Sequence, residues 1–346
     1  MRRGKRLLAA LLAALMAATA MVCPAVAMKG TEQPAAPASA PVMTPGIVTD
    51  FTAHMIALFT TNQPDQIPGV MTKAIEASPV GGSIGDKYNV EKFKFRSFDG
   101  TKLQCYLFHA PDQYKKDGKK RVLIAAHGFQ VNHLVPLMYL PLFTKMGFDF
   151  LVFDQRSAGA SDNAKCTMGY YEALDVVELS KWITQKYGDD VILGLHGESM
   201  GGGTVMQASD QIPNLAFLIE DCGYSDLYNL LKTLDHRYLK AIVPEAQFDE
   251  FWELANVYSK VGNITYRDVR PVDHLKNMDP DIPALFIHGG NDLYVPTYMV
   301  YDNYDAKPGK KDILVVKNAG HSQSHVVGFQ AYENKVRDFL STNGIV

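Results

Sequence analysis

The sequence predicts an α/β domain built on a mostly parallel sheet of eight strands, flanked by helices and carrying one inserted helical lid. Two observations lead there. Short continuous apolar runs, such as Val122-Leu123-Ile124-Ala125-Ala126 and Phe150-Leu151-Val152-Phe153, alternate with stretches of helical periodicity. A strand that is apolar on both faces must be covered on both, which is the condition of a parallel sheet between helical layers. The second observation is a break in this rhythm over residues 224–270. There Leu227, Leu230, Leu231 and Leu234, then Phe251, Leu254 and Val257, keep helical spacing without a buried strand between them. A long connection of that kind reads as an insertion over the sheet.

The chain has 346 residues, 47% of them hydrophobic, enough for one large domain with an insertion or for two small ones. Its first 27 residues stand apart. Arg2, Arg3, Lys5 and Arg6 precede an apolar run over 7–22, and Ala25-Val26-Ala27 closes the segment. Charged, apolar and small-residue parts in that order predict a secretory signal peptide cleaved after Ala27. An uncleaved anchor is the alternative, although the run is short for a membrane span. Bulky Val22 argues against a lipoprotein site at Cys23. The expected location is therefore secreted or extracytoplasmic, with no stable membrane span after cleavage.

Loss of four positive charges takes the formal net charge from −3 to −7. No basic cluster survives in the mature chain, which speaks against nucleic acid as a partner. Cys105, Cys166 and Cys222 are widely spaced, so neither a disulfide framework nor a zinc site is expected, though one disulfide is open.

Residues 28–49, with Pro34, Pro37, Pro41 and Pro45 among alanines, read as a tether. An N-terminal helical extension is expected over 50–89, with Asp50 capping a helix over 51–61 and a second helix over 69–77. The main domain, 90–346, opens with alternating strands over 90–96 and 102–109 joined at Asp99-Gly100. Buried strands follow at 122–126, 150–153, 191–196, 215–220, 284–288 and 313–316, with helices expected over 137–146, 169–187 and 325–340. In the second of these helices Leu174, Val177, Trp182 and Ile183 are expected to face inward.

Chemistry concentrates where strands end. Gly197-Glu198-Ser199-Met200-Gly201 follows an apolar strand and precedes a helix, the setting of a nucleophile elbow. Asp292 follows the strand ending at His288, and His321 follows the last strand. Loops at the carboxyl ends of strands are where sites in such sheets collect. An acyl-transfer serine needs a base, an acid to orient that base and donors for an oxyanion. Ser199 is the candidate nucleophile, His321 the candidate base and Asp292 the candidate orienting acid, with His325 the rival base. The backbone amides of Phe129 and Met200 are the candidate oxyanion donors. His127 reads as a hydrogen-bonding residue at a strand end, and Glu198 as a supporting residue. Asp154 and Arg156 read as a charge pair bracing their loop.

These motifs resemble the α/β-hydrolase superfamily over residues from about 90 to 341. They are His127-Gly128-Phe129, the run from Asp154 to Ser161, Gly197-Glu198-Ser199-Met200-Gly201-Gly202, Ile287-His288-Gly289-Gly290-Asn291-Asp292 and Gly320-His321. The nearest branch comprises lid-bearing bacterial esterases and serine aminopeptidase-like hydrolases. The resemblance implies an exported serine hydrolase acting on a small-molecule ester through an acyl-enzyme, with no metal or cofactor required. A serine peptidase acting on a peptide is the enzymatic alternative. A binding protein that keeps the fold without activity is the other. Within the insert, Glu245, Asp249 and Glu253 recur at four-residue spacing with Glu250 nearby, a face that could hold a peptide's terminal ammonium or could simply be solvated.

Overall fold

The computed structural model describes residues 88–115, 117–239 and 245–346. The expected signal peptide, the tether, the helices over 51–61 and 69–77 and nearly all of the extension lie outside the described residues. No helix among the described residues is long and apolar enough to cross a membrane.

Eight strands form one sheet: β1 (Val90–Arg96), β2 (Lys102–Phe108), β3 (Arg121–Ala126), β4 (Phe148–Phe153), β5 (Ile192–Glu198), β6 (Leu215–Asp221), β7 (Ala284–Gly289) and β8 (Lys311–Val316). Their order is β1-β2-β4-β3-β5-β6-β7-β8. The β1–β2 and β2–β4 pairs are antiparallel and all others are parallel. The predicted Asp-Gly turn joins β1 to β2, with the Thr101 amide donating to Asp99 Oδ1 and Gly100 at a φ of 90°.

Nine helices are described with the strands: α1 (Leu140–Thr144), α2 (Tyr170–Tyr187), α3 (Met200–Ala208), α4 (Leu227–Leu239), α5 (Phe248–Tyr258), α6 (Pro271–Asn277), α7 (Tyr298–Ala306), α8 (Ser324–Val327) and α9 (Phe329–Thr342). Every residue of β3, β4 and β7 is buried, as two-sided cover requires. Side chains alternate between the faces. Val122 and Ile124 join Ile183, Val205 and Val300 on one side, while Leu123 and Ala125 meet Phe143, Tyr332 and Leu340 on the other.

Several boundaries differ from expectation. The helix expected over 137–146 is a single 3-10 turn followed by the short α1. The helix expected over 325–340 is split at Gly328 into α8 and α9. A Cβ at Gly328 would press on Val316, so the chain passes too close to β8 for a continuous helix with a side chain there. Helices α6 and α7 were not expected. In α2 the buried stripe is Ala173, Val176, Val177, Leu179 and Ile183, while Leu174 and Trp182 are only half-buried. Trp182 instead stacks on Phe93 of β1, ring centroids 4.6 Å apart.

The inserted helices build a third apolar cluster over the carboxyl edge of the sheet. Leu227, Leu230, Leu231 and Leu234 of α4 pack with Phe248, Phe251, Trp252 and Ala255 of α5, and reach Met200, Val295 and Met299. The spacing of the four α5 residues is that of one helical face. Val257, grouped by its spacing with Phe251 and Leu254, is 60% exposed on the opposite face.

Candidate active site

Ser199 sits between β5 and α3 with φ 58° and ψ −119°, a conformation that costs a non-glycine residue on the order of 1–3 kcal/mol. The sharp turn explains its glycines. A Cβ at Gly197 would strike the Gly201 carbonyl, and one at Gly201 would strike the Ala126 carbonyl of β3. The strain is held by the surrounding backbone, including the Ser199 amide donating to Asp221 O at 2.8 Å. Met200 opens α3, so its amide is one of those that a helix leaves without an internal carbonyl.

The loops after β7 and β8 are pressed together. A Cβ at Gly289 would collide with the Gly320 carbonyl, and the Asn291 amide donates to Ala319 O at 2.9 Å. Asp292 and His321 are thereby brought to one place. His321 Nδ1 lies 2.7 Å from Asp292 Oδ2, and Nε2 lies 2.8 Å from Ser199 Oγ. A carboxylate only accepts, so Nδ1 carries the hydrogen and Nε2 is free to accept one from Ser199. The Asp292 Oδ1 atom accepts from the amides of Tyr294 and Val295, at 2.8 and 2.9 Å. Burial works against the charge on Asp292, yet its hydrogen bonds from His288 and His321 prevail and hold the carboxyl at about 2.

The structure thus brings Ser199, Asp292 and His321 together, and leaves His325 elsewhere. His325 is buried on α8 among the rings of Tyr139, Phe329 and Tyr332. The backbone at Gly128 lies beside the serine, since a Cβ there would come 3.4 Å from Ser199 Cβ. Phe129, the next residue, packs against the cluster that contains Met200. His127 does bond at its strand end, its Nε2 accepting from the Gln155 amide at 2.9 Å.

Asp154 and Arg156 do not pair with one another. Asp154 Oδ1 is 2.7 Å from His133 Nδ1, whereas Arg156 bonds Asp175 through Nε and Nη2 and Asp99 through Nη1. Arg156 also lies against the rings of Phe98 and Tyr171, 4.9 and 5.3 Å from their centroids. With two carboxylates about it, its guanidinium holds its proton even more firmly than arginine ordinarily does, against the cost of burial.

Two residues near the site were not singled out from sequence. His288 Nε2 lies 3.3 Å from Asp292 Oδ2 and 2.9 Å from Val295 O. Its place four residues before Asp292 was the available signal. Cys222, at the end of β6, has Sγ in a group with Asp292 and His321 whose ligand-type atoms all lie within 4.8 Å of one another. The carboxylate and imidazole are already engaged with each other, so a metal bound there would compete with their hydrogen bond. Cys105, Cys166 and Cys222 are all buried and free, so no disulfide joins them.

The acidic residues of the insert are exposed or paired with neighbours. Asp249 is 88% exposed in its side chain and pairs with Lys232 at 2.6 Å. Glu253 accepts from Tyr228 Oη at 3.0 Å and pairs with Arg267. Glu245 and Glu250 are exposed.

The family model for the α/β hydrolase fold matches residues 121–216. The chain is 27% identical over 261 residues to the uncharacterised YqkD protein of Bacillus subtilis (strain 168), covering 71% of this chain and 82% of that one. The Pyrococcus furiosus esterase Pf2001 is similar in structure, with a TM-score of 0.60 at 19% identity over 82% of this chain and 98% of that one. The acylaminoacyl peptidase of Pyrococcus horikoshii matches with a TM-score of 0.53 at 17% identity, over 74% of this chain and 41% of that one. With its sheet order, its strained serine between β5 and α3 and these likenesses, the chain has the α/β-hydrolase fold.

Proposed function

We propose that this protein is an exported serine hydrolase that cleaves carboxylic esters through an acyl-enzyme. The observation that carries this reading is the unbroken relay from Ser199 Oγ through His321 to Asp292, at 2.8 and 2.7 Å, behind a strained elbow. In the acylation step Ser199 Oγ attacks the ester carbonyl carbon while its proton passes to His321 Nε2. Asp292 holds the imidazole in the accepting tautomer and stabilises the imidazolium that forms. The carbonyl oxygen takes the negative charge facing the amides of Met200 and Phe129, at the N-terminus of α3. Collapse expels the alcohol, protonated by His321. Water then attacks the acyl carbon by the same route, His321 taking its proton, and the carboxylic acid leaves with Ser199 restored. No step calls on a metal or organic cofactor.

The preference for esters rests on the insert, read here as a lid. Its inner surface near Met200 is apolar, which suits an acyl chain or aromatic group, and its carboxylates are exposed or paired with cations. Export rests on the 1–27 segment. The test is reaction of Ser199 with a fluorophosphonate probe, followed by turnover of a panel of short-chain and aryl esters against amino-acid amides. Labelling that is lost in Ser199→Ala, with esters turned over faster, is the expected result. A chain that neither labels nor turns over any member of the panel is a binding protein on a hydrolase fold.

A further inference from the structure

Glu198 closes β5 immediately before Ser199, and its side chain is buried. Tyr139 Oη, just ahead of α1, donates to Glu198 Oε2 at 2.7 Å and lies 3.4 Å from Asp221 Oδ2. Asp221 is the register partner of Glu198 on β6. From the other side comes Ser322, the residue directly after His321, whose hydroxyl is within hydrogen-bonding reach of the Glu198 carboxyl. The same hydroxyl is 3.6 Å from Cys222 Sγ. Ser322 has a φ of 57°, a left-handed conformation that a non-glycine residue keeps only when its surroundings hold it there. The residue before the nucleophile and the residue after the base therefore meet beneath the relay.

We propose that Glu198 is a positioning residue: anchored by Tyr139, its buried carboxyl holds the Ser322 hydroxyl, and through it the His321 loop, against the strand end that carries Ser199. The inference rests on the serine-hydrolase reading for its effect on rate, but the clamp itself is a structural claim. Burial raises the Glu198 carboxyl. It also raises Asp221, with Glu198 beside it adding to the effect. Two carboxyls facing one hydroxyl in a dry site do not both ionise. Glu198 Oε2 accepts from Tyr139, and the same carboxyl meets the Ser322 hydroxyl. A glutamine amide reproduces both contacts, whereas alanine removes both.

Amide hydrogen exchange over residues 318–324 and the rate of inactivation by a fluorophosphonate distinguish these variants. In Glu198→Ala and in Ser322→Ala, exchange in that loop rises and inactivation slows about tenfold to a hundredfold, the scale of a small misplacement of reacting groups. The KM for an aryl ester stays within about twofold, since the substrate's own contacts are untouched. Glu198→Gln stays near wild type in exchange and in rate. Unchanged loop exchange in both alanine variants overturns the proposal, and so does a glutamine variant as impaired as alanine. A wild-type chain that resists the probe overturns the hydrolase reading instead, and loop exchange still judges the clamp. Ser322→Ala carries the test if Glu198→Ala does not fold.

Discussion

His288 and His321 converge on one oxygen of Asp292, with Nε2 of the first at 3.3 Å and Nδ1 of the second at 2.7 Å. Both Asp292 Oδ2 and the Val295 carbonyl face His288 Nε2, so that nitrogen carries the hydrogen. A second donor fixes the carboxylate's orientation and shares in keeping it charged. Its cost is that one imidazole must still be held accurately by an oxygen that serves two.

Removing that donor tests the arrangement. His288→Leu fills the space but leaves Asp292 Oδ2 and Val295 O each short of a partner, a loss of about 1–3 kcal/mol. Turnover is expected to fall about tenfold as His321 loses its fixed partner geometry. The pH dependence has a definite sign. Asp292 is depressed from 3.8 to about 2, so its contribution to stability is present above 3.8 and disappears as pH falls through about 2. Without His288 the carboxyl rises toward 3.8 and the acid-unfolding midpoint moves to higher pH. A midpoint and a rate equal to wild type would show that His288 only packs.

The choice of base makes a sharper test. His321→Ala is expected to lower ester turnover by roughly 10⁴–10⁶-fold with the fold retained, as removing one member of a relay does. His325→Ala touches no atom of Ser199 or Asp292 among the contacts of the structure and is expected to leave turnover within about tenfold. Steady-state kinetics on one aryl ester decides it. A dead His325→Ala beside an active His321→Ala would move the base.

Why these residues could be read from sequence, and others not, has a physical cause. Ser199, Asp292 and His321 each follow an apolar run that reads as a strand, although β8 before His321 is only half-buried where a buried strand was expected, and parallel strands bring their carboxyl ends to one edge. Pairings decided by tertiary placement left no such mark. Arg156 reaches Asp99 and Asp175, on separate elements, rather than its neighbour Asp154. Helix α7 was missed because only Met299, Val300 and Asn303 of its nine residues are buried, too weak a stripe to recognise. Val257 does not share the burial of Phe251 because α5 turns the face of Phe248, Phe251, Trp252 and Ala255 inward, and the apolar residues of that segment occupy both faces. His288 had the composition of an ordinary strand end.

Glu220 predicts how stability depends on pH. It is buried at the end of β6, with Oε2 accepting from the Gly223 amide at 2.8 Å and Oε1 without a hydrogen bond. Burial pushes its carboxyl from 4.5 up to about 8, against the pull of that amide. The folded chain then keeps a proton that the unfolded chain releases. The stability linked to this group is complete below 4.5 and is lost as pH rises through about 8. Glu220→Gln keeps the bond from Gly223 and has no proton to lose. Melting temperatures measured from pH 5 to 9 are expected to decline less in the variant than in wild type. Parallel curves would mean that Glu220 is ionised in the folded chain.

The insert decides between ester and peptide. A peptidase that recognises a free amino terminus needs an unpaired carboxylate turned toward the serine, because only a desolvated charge holds an ammonium strongly. Asp249 and Glu253 do not meet that condition. Asp249 pairs with Lys232 at 2.6 Å in an exposed position, and Glu253 is shared between Tyr228 and Arg267. The hydrogen bond from Lys232 lowers the Asp249 carboxyl. Glu253 is lowered as well, its bonds from Arg267 and Tyr228 outweighing the cost of its partial burial. These charges are already answered by neighbouring cations, and exposed pairs of this kind contribute little to stability. Asp249→Asn combined with Glu253→Gln is therefore expected to leave the turnover of short or aromatic acyl esters within about twofold of wild type. Amino-acid amides should remain the slower substrates in both proteins. A wild-type preference for peptides with a free amine, abolished by the double change, would reverse the assignment and make the outer face of α5 the recognition surface of a peptidase.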